Sequence, residues 1–403
     1  MKKILAVLLA AVMVMSFAGC GGGSKVDKNA SGTVTIWAAE AVQSFTQAKA
    51  EEYLKANFPN YTVVVEAVGE GDAAGNMITD VEGGADIFGF AQDQMSRLVA
   101  AGALMPIGGD SAEWIKKENA GGAVAAATVG DAIYAFPMTA DNGYFLYYDK
   151  SVVSDPSTLE GILADCKKAG KNFYFDYGSW YNYAFFTATG CTCTYTTDSE
   201  GAFTGCECNF ASNEGVAALK AMIALAESGV WQAGSSVSNA VNWAGIVDGT
   251  WDKTGAMDVL GSNYACAKLP TFTVDGKTYQ MGGFNGLKLI GVKPQTDPTK
   301  LAVCLGLAQY LTNADTQLAR FNQFGWGPSN LTAQENEAVK ADPALSALNE
   351  QFAFTYGQGQ YPGDFWATGI DGDLASGTLN SKMSDAELLT YLNGIQEKLL
   401  AAK

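Results

Sequence analysis

The sequence predicts an α/β protein built from two domains or from one interleaved pair of domains. Its 403 residues exceed what one typical hydrophobic core accommodates. Along most of the chain, apolar strand-like runs alternate with segments of helical spacing, a pattern typical of parallel sheets flanked by helices. The composition, 48% hydrophobic and 17% charged, is that of an ordinary globular protein.

The individual elements follow from the spacing of apolar residues. Strands are predicted at 33–37, 61–66, 85–90, 144–148 and 172–175. Helices are predicted at 42–58, 95–103, 157–169, 216–227, 299–311, 314–323 and 385–401. Ser384 and Glu387 have the spacing of a capping box that opens the last helix.

The first residues have the pattern of an export signal. Two lysines precede an apolar run over 4–18, which is too short to span a bilayer comfortably. Small residues then precede Cys20, so we predict a signal peptide over 1–19, a lipidated Cys20 and a flexible linker over 20–32. The alternative is a plain secretory signal with an incidental cysteine.

Charge and composition exclude several classes of function. Lys plus Arg is 25 and Asp plus Glu is 42, so the formal net charge is −17. An acidic surface without a basic cluster repels nucleic acid and anionic lipid. The chain contains 0 histidines, which removes His-based catalytic triads and His metal sites.

Four cysteines lie in one predicted β-hairpin. Folding the chain about 199–200 brings Cys193 opposite Cys206 and Cys191 opposite Cys208, all on one face. Export permits disulfides, which we favour, although sequence alone does not choose among their pairings. A four-thiolate zinc site is the alternative.

The order of several segments resembles the maltose/maltodextrin-binding family of extracellular solute-binding proteins, which serve ABC importers. These segments are TIWAAE, ADIFGFAQDQMSRLVAAGALMPI, YAFPMTADNGYFLYYDK, DGTWDK, YACAKLPTF, FGWGP and GDFWATG. The resemblance covers about residues 33–400. It implies a two-lobed, periplasmic-binding-protein-like fold of type II, with mixed sheets flanked by helices and a ligand cleft between the lobes.

The resemblance also implies how the chain divides between lobes. The N-terminal lobe would comprise 33–140 plus 267–335, and the C-terminal lobe 144–265 plus 340–403. The chain would then cross between lobes near 139–144, 264–268 and 335–340. The expected protein is a monomer without a cofactor, which delivers its ligand to the permease subunits of the transporter.

Residues matching the family's sugar contacts divide into rings and polar groups. The matching positions are the rings Phe90, Trp180, Trp251 and Trp366, the carboxylates Glu40, Asp93 and Asp141, and Gln94, which stands where well-known members have an arginine. The first-lobe lysine of those members has no clear counterpart. Trp326, Tyr181 and Tyr183 could face either the cleft or the core, whereas Phe185 and Phe186 are expected in the core.

These residue types suit a sugar. Trp and Tyr rings cover the apolar face of a pyranose, and carboxylates accept strong hydrogen bonds from its hydroxyls. The sequence therefore predicts a lipid-anchored, extracytoplasmic bacterial protein that captures an oligosaccharide of maltodextrin type. The alternatives are a glycoside hydrolase with paired carboxylates, a binding protein for a non-sugar solute, or a structural or zinc-binding lipoprotein.

Overall fold

The structure, a computed structural model, describes residues 26–363, 365 and 368–402. The predicted signal peptide, the lipidation site at Cys20, the first part of the linker and the predicted ligand ring Trp366 lie outside the described residues. No helix within the described residues combines the length and the apolar content needed to cross a bilayer.

The strands and helices alternate over most of the described chain. The strands are β1 (Gly32–Ala38), β2 (Tyr61–Ala67), β3 (Ile87–Ala91), β4 (Thr128–Val129), β5 (Ala132–Ile133), β6 (Ala135–Asn142), β7 (Phe145–Asp149), β8 (Asn172–Tyr174), β9 (Cys193–Thr197), β10 (Phe203–Cys208), β11 (Trp231–Gln232), β12 (Trp243–Asp248), β13 (Tyr264–Ala267), β14 (Thr271–Val274), β15 (Lys277–Gln280), β16 (Phe284–Val292) and β17 (Tyr356–Gly357). The helices are α1 (Gln43–Asn57), α2 (Glu70–Thr79), α3 (Met95–Ala100), α4 (Gly109–Glu118), α5 (Gly121–Ala126), α6 (Leu159–Ala169), α7 (Tyr183–Thr189), α8 (Asn213–Ala226), α9 (Lys253–Leu260), α10 (Pro298–Leu311), α11 (Ala314–Phe324), α12 (Leu331–Gln334), α13 (Glu337–Lys340), α14 (Pro343–Phe352), α15 (Ile370–Ala375) and α16 (Asp385–Ala401).

Two mixed sheets organise the molecule. The first has the order β17-β16-β3-β1-β2, with β6 also paired to β16. Its β1 runs parallel to β2 and β3, whereas β16 runs antiparallel to β3 and β6. The second has the order β11-β8-β12-β7-β13, and β7 is antiparallel to both of its neighbours.

Each sheet carries its own hydrophobic core, and we call the two resulting units the first and second lobes. The first core collects buried residues between Val34 and Met138 and between Leu289 and Trp326. The second collects residues from Tyr144 onwards, including the C-terminal helix α16. Burial of these side chains is the main favourable term that holds each lobe together.

The chain passes between the two cores within β16, later than the sequence indicates. Leu269, Phe272, Met281 and Phe284 all pack into the second core, whereas Leu289 packs into the first. The expected crossing near 264–268 therefore does not match the observed packing. The reason is the β14–β15 hairpin, whose Phe272 ring lies 5.2 Å from the ring of Phe185 in α7 and keeps this segment in the second lobe.

The last helix begins where its capping signal predicts. The Ser384 side chain accepts a hydrogen bond from the Glu387 backbone N–H, and the Glu387 side chain accepts one from the Ser384 backbone N–H, at 2.8 Å. The predicted capping box is confirmed. Buried Leu388, Leu392 and Ile395 then fix this helix against the second core.

The cysteine hairpin forms, with a different register from the predicted one. Cys193 pairs directly with Cys208, and Cys206 pairs with Tyr195. The prediction is wrong by two positions on β10, because the turn is wider than expected and the register shifts between Phe203 and Gly205. Among the described residues, no cluster of three or more Cys, Asp or Glu could hold a metal ion.

The cysteine thiols nonetheless cluster. The Sγ atoms of Cys193 and Cys206 lie 3.6 Å apart, diagonally across the ladder. Cys191 precedes β9, and its Sγ lies 3.7 Å from the Thr189 hydroxyl and 3.9 Å from the Ser212 hydroxyl. The described cysteines are all free thiols in this structure.

Candidate ligand-binding cleft

A cavity of about 1050 Å³ lies where the two lobes face each other. Its wall combines first-lobe residues, second-lobe residues and residues of the strands and loops that join them. The described lining is Ala39, Ala41, Gly69, Glu70, Gly71, Asp72, Gly75, Asn76, Ala91, Asp93, Gln94, Arg97, Asn142, Ser179, Trp180, Trp251, Asp252, Lys288, Trp326, Gln358 and Gly363. Small-molecule sites usually span roughly 300–1,000 Å³, so the cavity can hold a ligand of several sugar units.

Two tryptophans from the second lobe form one wall. Trp180 opens a short 3-10 turn before α7, and Trp251 lies in the turn that follows β12. Their ring centroids are 6.1 Å apart and their planes are 27° from parallel. The structure thus brings together two of the rings that the sequence assigns to sugar.

Residues 178–186 read GSWYNYAFF, an aromatic run in which the rings other than Trp180 pack into the second core. Tyr181, Tyr183, Phe185 and Phe186 are buried in the second core, and Phe186 stacks on Phe210 with centroids 4.1 Å apart. Of this aromatic run, Trp180 alone is among the described cavity-lining residues. Tyr181 and Tyr183, which the sequence left open, are core residues.

Phe90 does not reach the cavity. Its side chain is 0% exposed, packs in the first core and contacts Phe88, with ring centroids 5.6 Å apart. Successive side chains of a strand point to opposite faces, and the next residue, Ala91, lies on the cavity wall instead. The structure therefore makes Phe90 a core residue, contrary to its expected role in stacking on sugar.

Asp93 and Gln94 line the cavity beside Arg97. The Gln94 amide donates to Asp93 Oδ2, and Arg97 Nη1 donates to Gln94 Oε1 at 2.6 Å. Asp93 Oδ1 is buried and has no hydrogen-bond partner among the described residues. Burial raises the pKa of Asp93 to about 6, while the hydrogen bond from Gln94 and the charge of Arg97 oppose the shift.

The other two predicted carboxylates are not among the cavity-lining residues. Asp141 is 1% exposed, and its Oδ2 accepts hydrogen bonds from the Thr250 hydroxyl and the Gly327 backbone N–H. These hydrogen bonds connect strand β6 to the turn that carries Trp251 and to the loop that carries Trp326. The carboxylate of Asp141 therefore stabilises the fold. Glu40 is exposed, although its neighbours Ala39 and Ala41 line the cavity.

The structure adds wall residues that sequence reasoning missed. Glu70, Asp72 and Asn76 come from α2, which no recognised segment contains. Asn142 lies at the end of β6 and Gln358 follows β17, and Asn142 Nδ2 donates to Gln358 Oε1 at 2.9 Å. Only the spacing of a helix with acidic residues in its first turn could have drawn attention to Glu70 and Asp72.

Lys288 and Trp326 complete the first-lobe side of the cavity. Trp326 is 3% exposed, and the Lys288 ammonium lies 3.9 Å from the centre of its ring. The same ammonium lies 4.8 Å from the ring of Trp251 in the second lobe. The segment FGWGP left Trp326 open between cleft and core, whereas no sequence signal pointed to Lys288.

Comparisons with known proteins agree with a binding cleft. The family model for bacterial extracellular solute-binding proteins matches residues 41–347. The maltotriose-binding protein of Pyrococcus abyssi (strain GE5 / Orsay) is 24% identical over 388 residues, which cover 92% of this chain and 82% of that protein.

Solved structures share the whole fold. One structure, solved with acarbose, is 25% identical and has a TM-score of 0.77, with 92% of this chain and 99% of the other covered. The maltodextrin-binding protein of L. casei BL23, solved without ligand, is 23% identical with a TM-score of 0.73 and the same coverage of 92% and 99%. The chain therefore has the two-lobed fold of these binding proteins and belongs to the family of bacterial extracellular solute-binding proteins.

Proposed function

We propose that this protein captures an oligosaccharide of maltodextrin type and passes it to the membrane subunits of an ABC importer when its lobes close. The observation that carries the proposal is the wall of Trp180, Trp251 and Trp326 beside the polar groups of Asp93 and Gln94 in one cavity. The family consists of solute-binding proteins, so the chain is a binding protein and not an enzyme.

The chemistry of the cavity suits a neutral sugar. Indole rings present flat apolar surfaces to the C–H face of a pyranose, and side-chain carboxylates and amides exchange hydrogen bonds with its hydroxyls. The size of the cavity favours several linked units over one. The names of the relatives, which bind maltotriose or maltodextrin or were solved with acarbose, support the same class of ligand.

Closure of the two lobes would couple binding to transport. Each lobe has its own core, and the strands β6 and β16 connect them. A ligand that contacts both lobes stabilises the closed state over the open one, because only the closed state makes both sets of contacts. The permease subunits would recognise that closed state.

The N-terminal pattern supports export and anchoring. A signal peptide over 1–19 would direct secretion, and a lipid on Cys20 would hold the protein at the outer face of the cell membrane. In that oxidising compartment, the nearby thiols of Cys193 and Cys206 would form a disulfide.

Calorimetric titration of the mature protein tests the proposed ligand. We expect maltotriose and longer α-glucans to bind without being cleaved, and to raise the melting temperature because they bind only the folded state. A β-linked oligosaccharide of the same length is the matched control. The proposal is wrong if no α-glucan binds, or if the protein hydrolyses the sugar that it binds.

A further inference from the structure

We propose that Lys288 binds the ligand directly, donating hydrogen bonds from its ammonium to oxygens of the neutral sugar unit held near Trp251 and Trp326, and that it disfavours a cationic amino sugar there. This inference rests on the proposed function, because it assumes that the cavity holds a sugar. It adds a specificity-determining residue from the strand that connects the lobes.

The backbone fixes Lys288 at the meeting point of three strands. On β16 it pairs with Ala91 of β3 and with Thr139 of β6, and Ala91 itself lines the cavity. Its side chain is 7% exposed and lines the cavity. A central strand positions a side chain more precisely than a loop does.

The Lys288 ammonium has two aromatic neighbours and no acceptor. It lies over the rings of Trp326 and Trp251, with which it makes cation–π contacts. Across the described residues, it makes neither a hydrogen bond nor an ion pair. Other partly buried lysines of this chain are paired: Lys300 contacts Asp86 at 2.8 Å, and Lys253 contacts Asp342.

Burying hydrogen-bond donors without acceptors costs free energy, and a ligand that supplies acceptors removes this cost. An ammonium carries three N–H donors, and aromatic faces replace only part of the hydration lost on burial. A sugar bound against the same two rings would bring hydroxyl and ring oxygens to those donors. The ligand would then supply the hydrogen-bond acceptors that the protein does not offer to the Lys288 ammonium.

The charges around the cavity favour a neutral ligand. Its described wall contains the carboxyl groups of Glu70, Asp72, Asp93 and Asp252, against the cations Arg97 and Lys288. This excess of acidic groups disfavours an anionic sugar as a whole. Close to the two indoles, however, the positive charge of Lys288 would repel a protonated amine.

The test replaces Lys288 by Met, which keeps an unbranched apolar stem and removes the ammonium. We expect maltotriose to bind about tenfold more weakly or worse, because a hydrogen bond from a charged donor is lost. The melting temperature should change little, because Met removes the cost of burying an ammonium without an acceptor along with the two cation–π contacts. Lys288→Arg, which keeps a cationic donor, should restore part of the affinity.

The matched control is Lys277→Met. Lys277 also lies over an aromatic ring, that of Tyr279 at 4.6 Å, but it is an exposed residue of the β14–β15 hairpin outside the described cavity wall. Its removal should leave the affinity unchanged. Acarbose, whose nitrogen can carry a proton, should lose less affinity than maltotriose on Lys288→Met.

The outcomes separate the two proposals. If the wild-type protein binds maltotriose and Lys288→Met binds it equally well, the role of Lys288 is wrong and the proposed function stands. If the affinity falls only together with the melting temperature, Lys288 has a structural role instead. If the wild-type protein binds no neutral sugar, the proposed function fails and this inference fails with it.

Discussion

The indole of Trp251 lies in the cavity because the residues before it are small. A Cβ atom at Gly249 would lie 2.1 Å from the Trp251 ring, so only glycine lets the ring fold back over the backbone. The Tyr147 hydroxyl donates to the carbonyl oxygen of Gly249 at 2.9 Å and holds the turn in place. A rigidly held ring loses little freedom on binding, which favours affinity.

Truncation of Trp251 separates its role from that of a core ring. Trp251→Ala should weaken α-glucan binding by about 2 kcal/mol, as at an interface hot spot, which is about thirtyfold in Kd. Phe90→Ala should instead lower the free energy of unfolding by about 3–5 kcal/mol, because it leaves a cavity in the first core. Calorimetric titration and urea unfolding of both variants measure the two effects.

The Trp251 prediction fails in one clear case. A Trp251→Ala protein that unfolds far more easily, yet binds the sugar normally when folded, would make Trp251 a structural residue and move the site elsewhere. An unchanged free energy of unfolding in Phe90→Ala would likewise contradict the core role that its complete burial indicates.

Asp93 should make stability depend on pH. Its pKa rises to about 6 in the folded protein because of burial, against about 3.9 for an unfolded chain. Between these values the folded state keeps a proton that the unfolded state has lost, so the free energy of unfolding falls as pH rises from 4 to 6. Asp93→Asn should therefore raise the free energy of unfolding by about 3 kcal/mol at pH 8 and leave it unchanged below pH 4.

A bound sugar should offset part of the stability that the folded protein loses when Asp93 ionises. Sugar hydroxyls that donate to Asp93 favour its ionised form, so the affinity of the wild-type protein should rise between pH 5 and pH 7. Urea unfolding and calorimetry across this range measure both changes. If Asp93→Asn shows the same pH dependence as the wild type, the pH dependence comes from another titrating group.

The β9–β10 hairpin connects the second lobe to the first at the level of the site. A Cβ atom at Gly201, in its turn, would lie 2.2 Å from the carbonyl oxygen of Ser96 in α3. The same helix carries the cavity residue Arg97. A stiff hairpin would therefore hold its tip against the helix beside the ligand.

The hairpin thiols should oxidise as a pair. In protein secreted under oxidising conditions, we expect a disulfide between Cys193 and Cys206, because their Sγ atoms lie 3.6 Å apart, with Cys208 as the competing partner opposite Cys193. Non-reducing peptide mapping identifies the pair. Alkylation of Cys193 without prior reduction would contradict the prediction.

The chain connects the two lobes through the strands β6 and β16, and polar contacts beside these strands add to that connection. Asp141 on β6 accepts hydrogen bonds from Thr250 of the second lobe and from Gly327 beside Trp326. Next to it, Asn142 at the end of β6 donates a hydrogen bond to Gln358. Motion between the lobes can then occur about these strands, while each core stays packed.

Anchoring is a prediction for the whole protein. Cys20→Ala should leave folding and sugar binding intact and move the protein from the membrane fraction to the soluble fraction, because the acylation site is lost. Ser24→Ala, four residues further along the linker, is the control and should stay with the membrane. Retention of Cys20→Ala in membranes, with no lipid on the wild-type protein by mass spectrometry, would contradict anchoring.

Local sequence patterns determined the longest helices, several strands and part of the site. The apolar spacing of 42–58 predicts α1 (Gln43–Asn57) closely, and the Ser384–Glu387 pair marks the start of α16. The glycine and small polar residues around Trp251, in DGTWD, indicated a loop residue free to meet a ligand. These features depend on neighbours within a few residues, so the sequence contains them directly.

Contacts between distant segments were decided only by the tertiary structure. Whether Phe90 or Ala91 faces the cavity depends on which side of β3 the other strands and helices cover. The wider turn of the cysteine hairpin moved its pairing by two positions. Lys288 meets Trp251 and Trp326 because β16, the turn after β12 and the loop after α11 converge, and the packing of whole lobes, rather than any local spacing, brings those three segments together.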